Sequence, residues 1–210
     1  VWCWDITYCP SRVRGQFYYL YMFEDLYSRK IVGYEVYERE SATYSAELLQ
    51  RCILREKCRH QPLVLHSDNG APMKASTMKA KLEELGVLPS YSRPRVSNDN
   101  AFIESLFRVL KYQYDWPSRG FTSLEEARSW VDRFVRWYNT EHRHSKINFV
   151  TPQQRHQGLD SALLARRQEV LEAARQASPT RWGSRPVRDC QPVGAVTLNP
   201  AKEVEIKQAA

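Results

Sequence analysis

Short β-prone runs separated by turn signals dominate the first part of the chain. Residues 1–9, 17–23 and Ile31–Tyr37 are rich in aromatic and β-branched residues, a composition typical of strands. Between the second and third runs lie Glu24 and Asp25, which we interpret as turn residues rather than metal ligands. The three runs are therefore expected to form an antiparallel meander.

Helical periodicity then alternates with further short apolar runs. Residues 45–58 and 73–85 carry apolar residues at helical spacing, and Gly86 is a typical helix end. The runs 63–66 and Val87–Tyr91 predict two more strands. A strand, a helix and a strand in this order predict a parallel crossover.

A longer helix is expected after the fifth strand. Ser97–Asn100 offer short polar side chains that can accept the free N–H groups of a first turn. Apolar residues then recur at helical spacing, and another amphipathic helix is expected at 123–138. The stripe predicted to be buried in the first of these helices consists of Phe102, Leu106, Val109 and Leu110.

A different face of that first helix carries Glu104, Arg108 and Lys111. By themselves, these residues fit a solvated salt-bridge ladder as well as they fit a functional site. Two further acids belong to strands. Asp68 directly follows the fourth apolar run and precedes an Asn-Gly turn signal, and Asp5 lies inside the first run. An acid among Trp, Cys, Ile and Tyr is costly to bury unless it is paired or binds a metal.

Composition is compatible with a basic intracellular protein. The chain has 210 residues, a formal charge of +7 and 5 Cys without a C-x-x-C motif. The basic surplus fits a polyanionic partner, and the cysteines are interpreted as reduced thiols of a cytosolic protein. A zinc site built from Cys3, Cys9 and a His is a less favoured alternative. The sequence contains neither a membrane-spanning run nor a visible signal peptide.

The last fifty residues differ from the rest. Residues 161–177 are rich in Ala, Leu and Arg and predict a helix with a narrow apolar face, and 178–200 are rich in Pro and Arg. This part is a poor core former and is expected to be an extended arm. The chain begins at Val1, inside a strand-like run, so we expect it to be a fragment or a trimmed chain.

Local motifs around the three acids carry a family resemblance. WDIT at Asp5, HSDNG at Asp68 and NDNAFIES at Glu104 resemble the Asp-Asp-Glu core of retroviral integrases and bacterial insertion-sequence transposases. Thirty-five residues separate Asp68 from Glu104, and the match is closest to transposases of the second open reading frame. The resemblance covers residues 1–158. Further matching segments are YSRKIVGYEV, SRPRVSNDN, ESLFRVLKY and WYNTEHRHS.

This resemblance implies an α/β, ribonuclease H-like fold, a mixed five-stranded sheet flanked by helices, to which the composition of the last residues adds a C-terminal helical and extended tail. An integrase-like catalytic core would occupy 1–158, and a helix with a Pro/Arg-rich arm would occupy 159–210. The implied activity is metal-dependent cleavage at mobile-element ends and transfer of 3′-hydroxyls into target DNA. The implied cofactor is Mg²⁺, for which Mn²⁺ can substitute. The protein would act as a homo-oligomer on DNA in the bacterial cytoplasm, associated with the nucleoid.

The resemblance also implies roles for individual residues. Asp5, Asp68 and Glu104 would be the catalytic metal ligands. Asn69 would support the site; His66, on the same sheet face as Asp68, would either orient it or, as we favour, pack at the strand end. The expected DNA contacts are Arg93, Arg95, Asn100, Arg108 and Lys111.

Two alternatives to a transposase remain open from the sequence. One is a nuclease of the same fold that only hydrolyses, and the other is a non-catalytic basic DNA-binding module. Proteins of this family usually carry a helix-turn-helix segment ahead of the core. No such segment precedes Val1, so recognition of element ends is expected to be missing from this chain.

Overall fold

The computed structural model describes residues 1–93 and 97–198. Five strands form one sheet in the order β3-β2-β1-β4-β5. The first three strands pair antiparallel, and β4 pairs in parallel with both β1 and β5. Their bounds are β1 Trp2–Pro10, β2 Phe17–Asp25, β3 Ile31–Tyr37, β4 Leu63–Ser67 and β5 Val87–Tyr91.

Helices cover both faces of this sheet, so the expected ribonuclease H-like architecture is confirmed. The helices are α1 Ala42–Arg55, α2 Ala71–Lys74, α3 Ser76–Leu85, α4 Ala101–Lys111, α5 Leu124–Thr140, α6 Pro152–His156, α7 Asp160–Ala177 and α8 Pro179–Trp182. Single 3-10 turns precede α4 at Ser97–Asn100 and α6 at Ser145–Ile147.

Three boundaries differ from the sequence-based expectation. The helix α1 begins earlier because the Ser41 side chain accepts a hydrogen bond from the Thr43 N–H group and caps it. The single helix expected at 73–85 is two helices, since Pro72 favours an earlier start and Ala75 has an extended backbone. Glu24 and Asp25 do not lie in a turn: both end β2 and are buried.

Alternating side chains of β1 separate two cores. Trp2 and Trp4 pack beneath α1 and α3, where Trp4 stacks on Phe23 at 5.2 Å between ring centroids. Cys3 and Cys9 pack on the opposite face, beneath α4 and α5. Because strand side chains alternate with a period of two, Asp5 belongs to the face covered by α4.

The buried stripe of α4 differs from the predicted one. Leu106 and Leu110 are buried as expected, but their partners are Ile103 and Phe107. The predicted members Phe102 and Val109 are only partly buried. They lie on one flank of the helix, where they pack against the margin of the core and also line a cavity.

The C-terminal part attaches through a small third core and one buried arginine. Leu164 of α7 packs with Ile147, Val150 and Cys190. The Arg155 guanidinium donates to the Tyr27 carbonyl at 2.7 Å and the Val193 carbonyl at 2.7 Å. Beyond α8, the described residues form no regular element. The division of the chain into two parts at residue 158 stays a prediction.

Within the described ranges, none of the helices combines the length and apolarity needed to cross a membrane. All five cysteines are free thiols, and four of them are buried.

A charged histidine joins α6 to the sheet. His156 Nε2 lies 3.1 Å from Glu56 Oε2, and Nδ1 lies 3.8 Å from Asp25 Oδ2 and 3.1 Å from Ser28 Oγ. The ionic interaction with Asp25 and the hydrogen bond to Glu56 raise the pKa of His156 to about 9. Burial would raise the pKa of Glu56, but hydrogen bonds from His156 and Lys30 lower it to about 2. The imidazolium is therefore held by carboxylates that are ionised at neutral pH.

We expect His156→Gln to remove a pH-dependent part of the stability. A pKa raised from 6.5 to about 9 stabilises the fold fully below pH 6.5, and this contribution is lost as the pH rises through 9. Because the imidazole is partly exposed, we expect about 1 kcal/mol after solvent screening. Denaturant unfolding at several pH values should show the wild-type advantage below pH 6.5 and its disappearance above 9.

The control is His60→Asn, at an exposed position whose φ of 65° lies in the left-handed region that Asn tolerates. It should keep the wild-type pH dependence. A constant difference between wild type and His156→Gln at every pH would contradict a charged clamp.

Candidate active site

Asp5 and Asp68 lie level with one another on neighbouring strands. β1 and β4 pair in parallel with Cys3 opposite His66. Continued by two residues, this register places Asp68, which directly follows β4, beside Asp5. Both residues are partly buried, and adjacent strands are about 4.8 Å apart in the hydrogen-bonding direction.

Backbone N–H groups orient both carboxylates. Asp5 Oδ1 accepts from the Ile6 N–H group at 2.8 Å, and Asp68 Oδ1 accepts from the Gly70 N–H group at 2.9 Å. A Cβ atom at Gly70 would lie 2.9 Å from Met73 Sδ and 3.1 Å from Asp68 Oδ1. The glycine of the predicted turn therefore leaves room for the carboxylate.

Glu104 lies in the first turn of α4, and its side chain is exposed. The start of this helix is fixed to β1 by Asn100, whose Nδ2 donates to the Trp4 carbonyl at 3.3 Å. Because Trp4 precedes Asp5, this bond couples the placement of Glu104 to that of Asp5.

The negative charges of Asp68 and Glu104 act on Asp5. Burial raises the pKa of Asp5 to about 7; the Ile6 N–H bond opposes the rise, and the negative charges of Asp68 and Glu104 add to it. The fold therefore concentrates negative charge at one place, which is what a divalent cation would neutralise.

The acids are nevertheless not drawn into a closed set of ligands. In residues 1–93 and 97–198, no group of three or more His, Cys, Asp and Glu side chains is arranged to hold a metal ion. Glu104 is exposed, whereas both aspartates accept hydrogen bonds from backbone N–H groups.

His66 and Asn69 connect the loops around Asp68. His66 is 2% exposed; its Nδ1 lies 3.0 Å from Ser90 Oγ and its Nε2 lies 3.1 Å from the Asp99 carbonyl oxygen. Since a carbonyl only accepts, Nε2 carries the proton, and burial lowers the pKa of His66. Asn69 Nδ2 donates to the Ser92 carbonyl at 2.7 Å. The packed role that we favoured for His66 agrees with this burial.

Arg93 is engaged in an ion pair. Its backbone N, Nε and Nη2 atoms donate to Asp99 at 2.7, 2.9 and 2.8 Å. These bonds lower the pKa of Asp99 to about 2. Arg93 therefore closes the loop ahead of α4, although its side chain remains 69% exposed. The sequence did not identify Asp99 as a partner of Arg93. The nearby SRPR run indicated only that this loop is basic.

The other expected DNA contacts differ in accessibility. Arg108 and Lys111 are exposed on the Glu104 side of α4. Asn100 is 3% exposed and bonded to β1, which argues against the direct DNA contact expected from the sequence. Arg95 lies outside the described residues.

The charge of Lys111 also influences Cys9, near the end of β1. Burial raises the pKa of Cys9 to about 12, and the positive charge of Lys111 opposes this rise. The lysine therefore lies near the strand that carries Asp5. Beyond it, Tyr112 and Tyr114 are 80% and 98% exposed. Neither was predicted from the sequence to be a functional residue.

This sheet, with acids on β1, after β4 and on α4, has the arrangement expected of an integrase core domain. Two models described as integrase core domain match the chain, one over residues 1–97 and the other over residues 85–152. The chain belongs to this integrase core family, and its relatives within the family are transposases of bacterial insertion sequences.

Two such relatives are 30% identical to the chain. The transposase for insertion sequence element IS904 of Lactococcus lactis aligns over 156 residues, 72% of this chain and 59% of the relative. The transposase InsF for insertion sequence IS3A of Escherichia coli aligns over 154 residues, 73% of this chain and 52% of the relative. The chain thus spans little more than half the length of these relatives.

Solved structures share the fold at low identity. A chain of the simian T-cell lymphotropic virus intasome in complex with a PP2A regulatory subunit matches 74% of this chain at a TM-score of 0.61 and 16% identity, with 53% of that chain covered. The HTLV-2 integrase catalytic core domain in complex with magnesium matches 74% of this chain and 94% of its own, at a TM-score of 0.54 and 16% identity.

The electrostatic coupling predicts how Asp5 titrates. In wild type without a divalent cation, the Asp5 carboxyl should show a pKa of about 7. Asp68→Asn and Glu104→Gln should each lower it, because each removes a negative charge. Carboxyl ¹³C NMR over a pH series measures this pKa. Glu169→Gln, an exposed acid on α7, is the control and should leave it unchanged. An Asp5 pKa that is the same in all four proteins would contradict the coupling.

Proposed function

We propose that this chain is the catalytic domain of a DNA transposase that cleaves at the ends of a mobile element and joins the freed 3′-hydroxyls to target DNA. The observation that carries this proposal is the placement of Asp5 and Asp68 on adjoining strands, with Glu104 in the first turn of a helix that is bonded to β1 through Asn100. The family membership and the transposase relatives support it.

The donor set fits a hard divalent cation. Carboxylate oxygens suit Mg²⁺, which keeps several waters and needs few protein ligands. We assign Asp5, Asp68 and Glu104 as the residues that would hold the metal, with Asp5 as the ligand shared between the other two acids. Ions bound there would neutralise the scissile phosphate and activate the attacking oxygen.

The chain's own contribution is placement. The two aspartates are held by strands and by backbone N–H bonds, whereas Glu104 is on the first turn of a helix and is exposed. We propose that Glu104 completes the site when DNA is present. The attacking group is water or a DNA 3′-hydroxyl, so the reaction needs no protein nucleophile.

DNA would run along the exposed side of α4. Lys111 lies seven residues after Glu104, about 10 Å along the helix axis, and Arg108 lies between them. A strand whose reacting phosphate is at Glu104 would pass these cations with its next phosphates. Arg93 would contribute less to binding, because Asp99 already neutralises it.

Neutral isosteres should separate activity from folding. We expect Asp5→Asn, Asp68→Asn and Glu104→Gln each to lower cleavage and joining roughly 100-fold or more, since each removes a charged ligand. Asp5→Asn should be at least as stable as wild type, because it removes a buried charge that its neighbours repel. Joining of a labelled oligonucleotide to a plasmid with Mg²⁺, together with denaturant unfolding, measures both effects.

Glu169→Gln is again the matched control and should join DNA like wild type. Near-normal activity of any one of the three variants would remove that residue from the site. Nicks without joints in wild type would indicate a hydrolase only, and DNA binding without either product would indicate a non-catalytic module.

Lys111 tests the proposed DNA path. Lys111→Ala should weaken DNA binding and reduce the salt dependence of log K by about 0.9, the contribution of one phosphate contact. Lys111→Glu should weaken it further, because it repels both phosphate and Glu104. Fluorescence anisotropy at several salt concentrations measures the slope.

Arg166→Ala, on the exposed surface of α7, is the control and should keep the wild-type slope. Mg²⁺ affinity should be nearly unchanged in the Lys111 variants. Wild-type DNA affinity of Lys111→Glu would place the DNA elsewhere.

A further inference from the structure

A cavity of about 340 Å³ lies beside α4, between the β2–β3 turn and the segment that follows α5. Its volume is within the range of small-molecule sites. The lining residues that matter for its chemistry are Glu24, Arg29, Phe102, Ser105, Val109 and Lys146.

The cavity is separate from the candidate active site. At about 100° per residue, Ser105 and Val109 are turned by roughly 100–140° around the helix from Glu104. Phe102 lies still further round, at roughly 160°. The cavity therefore occupies the other flank of α4, away from Glu104 and Lys111.

Arg29 is the unusual group in this cavity. The residue is 9% exposed, yet among the described residues its guanidinium makes neither an ion pair nor a hydrogen bond to protein. Nε is fully buried without a partner, and the guanidinium carbon lies 4.2 Å from the centroid of the Phe102 ring. Buried charged groups are normally paired, so these N–H donors lack the acceptor that such a group requires.

The backbone holds Arg29 in this position. Its φ is 66°, in the left-handed region that non-glycine residues rarely adopt. The turn is closed by the Arg29 N–H bond to the Asp25 carbonyl at 2.8 Å and by Ser28 bonds to the Asp25 carboxylate. Backbone strain of this kind is frequent at ligand sites.

The charge of the cavity favours an anion. Lys146 supplies a second cation. Glu24 is 2% exposed; burial raises its pKa to about 8, and the positive charge of Arg29 opposes this rise. Among the residues that line the cavity, two cations therefore face one acid. Burial also lowers the pKa of His144 to about 4, which leaves this lining residue neutral. Phe102 and Val109 add apolar walls.

We propose that this cavity binds a small organic anion. Its carboxylate or phosphate head accepts N–H bonds from Arg29, and its aromatic or aliphatic body packs against Phe102 and Val109. Because α4 forms one wall and carries Glu104, an occupant also stabilises the helix from the flank opposite the acids.

The test uses benzoate, phenyl phosphate and inorganic phosphate as probes, with binding followed by calorimetry and by ¹H–¹⁵N NMR shifts. We expect benzoate or phenyl phosphate to bind saturably and to shift the resonances of the cavity residues. Arg29→Met should weaken binding about 10- to 100-fold, the range for a lost hydrogen bond to a charged group. It should still fold, because it removes no protein hydrogen bond of the side chain.

Ser105→Trp fills the cavity from its exposed rim while Arg29 stays in place, and it should abolish binding. Arg166→Met is the matched control on α7 and should bind like wild type. Tighter binding of benzoate than of phenyl phosphate would identify a carboxylate as the head group, and the reverse order a phosphate.

Three results would overturn the proposal. The first is the absence of saturable binding up to millimolar concentrations of every probe. The second is binding that Ser105→Trp leaves unchanged. The third is equal affinity for inorganic phosphate and phenyl phosphate, since an apolar body would then contribute nothing.

Discussion

The structure depends on placing acidic side chains on neighbouring elements although their like charges repel one another. Asp5 lies within a strand between two cores, and Asp68 and Glu104 add negative charge beside it. Two features hold the acids in place despite their repulsion: the parallel β1–β4 register and the hydrogen bond from Asn100 to the Trp4 carbonyl. A cation at this place would convert repulsion into binding energy, which is why the arrangement suits metal-dependent phosphoryl transfer.

Around these acids, buried polar contacts fix the start of α4. His66 links β4 to the Asp99 backbone, and Arg93 links the loop after β5 to the Asp99 carboxylate. Both bonds end at the 3-10 turn that leads into α4. The sheet therefore determines where α4 begins and so where Glu104 lies, while one side of the helix remains exposed. The flank with Arg29 is a second, chemically different surface of the same helix.

Much of the fold could be predicted from local pattern. The β3 and β5 strands have the predicted bounds, since turn residues and Gly86 limit them on the chain itself. The buried stripe of α4 lies on a different flank of the helix from the predicted one. Phe102 and Val109 satisfy helical spacing as well as Ile103 and Phe107 do. Only packing against the sheet decides between them.

The site could be predicted where a motif marks it, and not where distant segments meet. The three acids were proposed from local motifs and stay predictions, whereas the burial of Asn100 and the Arg93–Asp99 pair follow from how the loop folds back on the sheet. Arg29 gave no signal, because its cavity combines a turn, a helix flank and a segment more than a hundred residues later. In the sequence, Glu24 and Arg29 resemble ordinary turn residues.

The most direct test of the proposed metal site is diffraction from crystals of this chain grown with Mn²⁺, measured at the manganese absorption edge. The account predicts anomalous density within coordination distance of Asp5, with Asp68 or Glu104 as a further ligand. It predicts that crystals of Asp5→Asn lack this density. Manganese bound only at other acids, or bound equally well in Asp5→Asn, would contradict the proposal that Asp5 is the shared metal ligand.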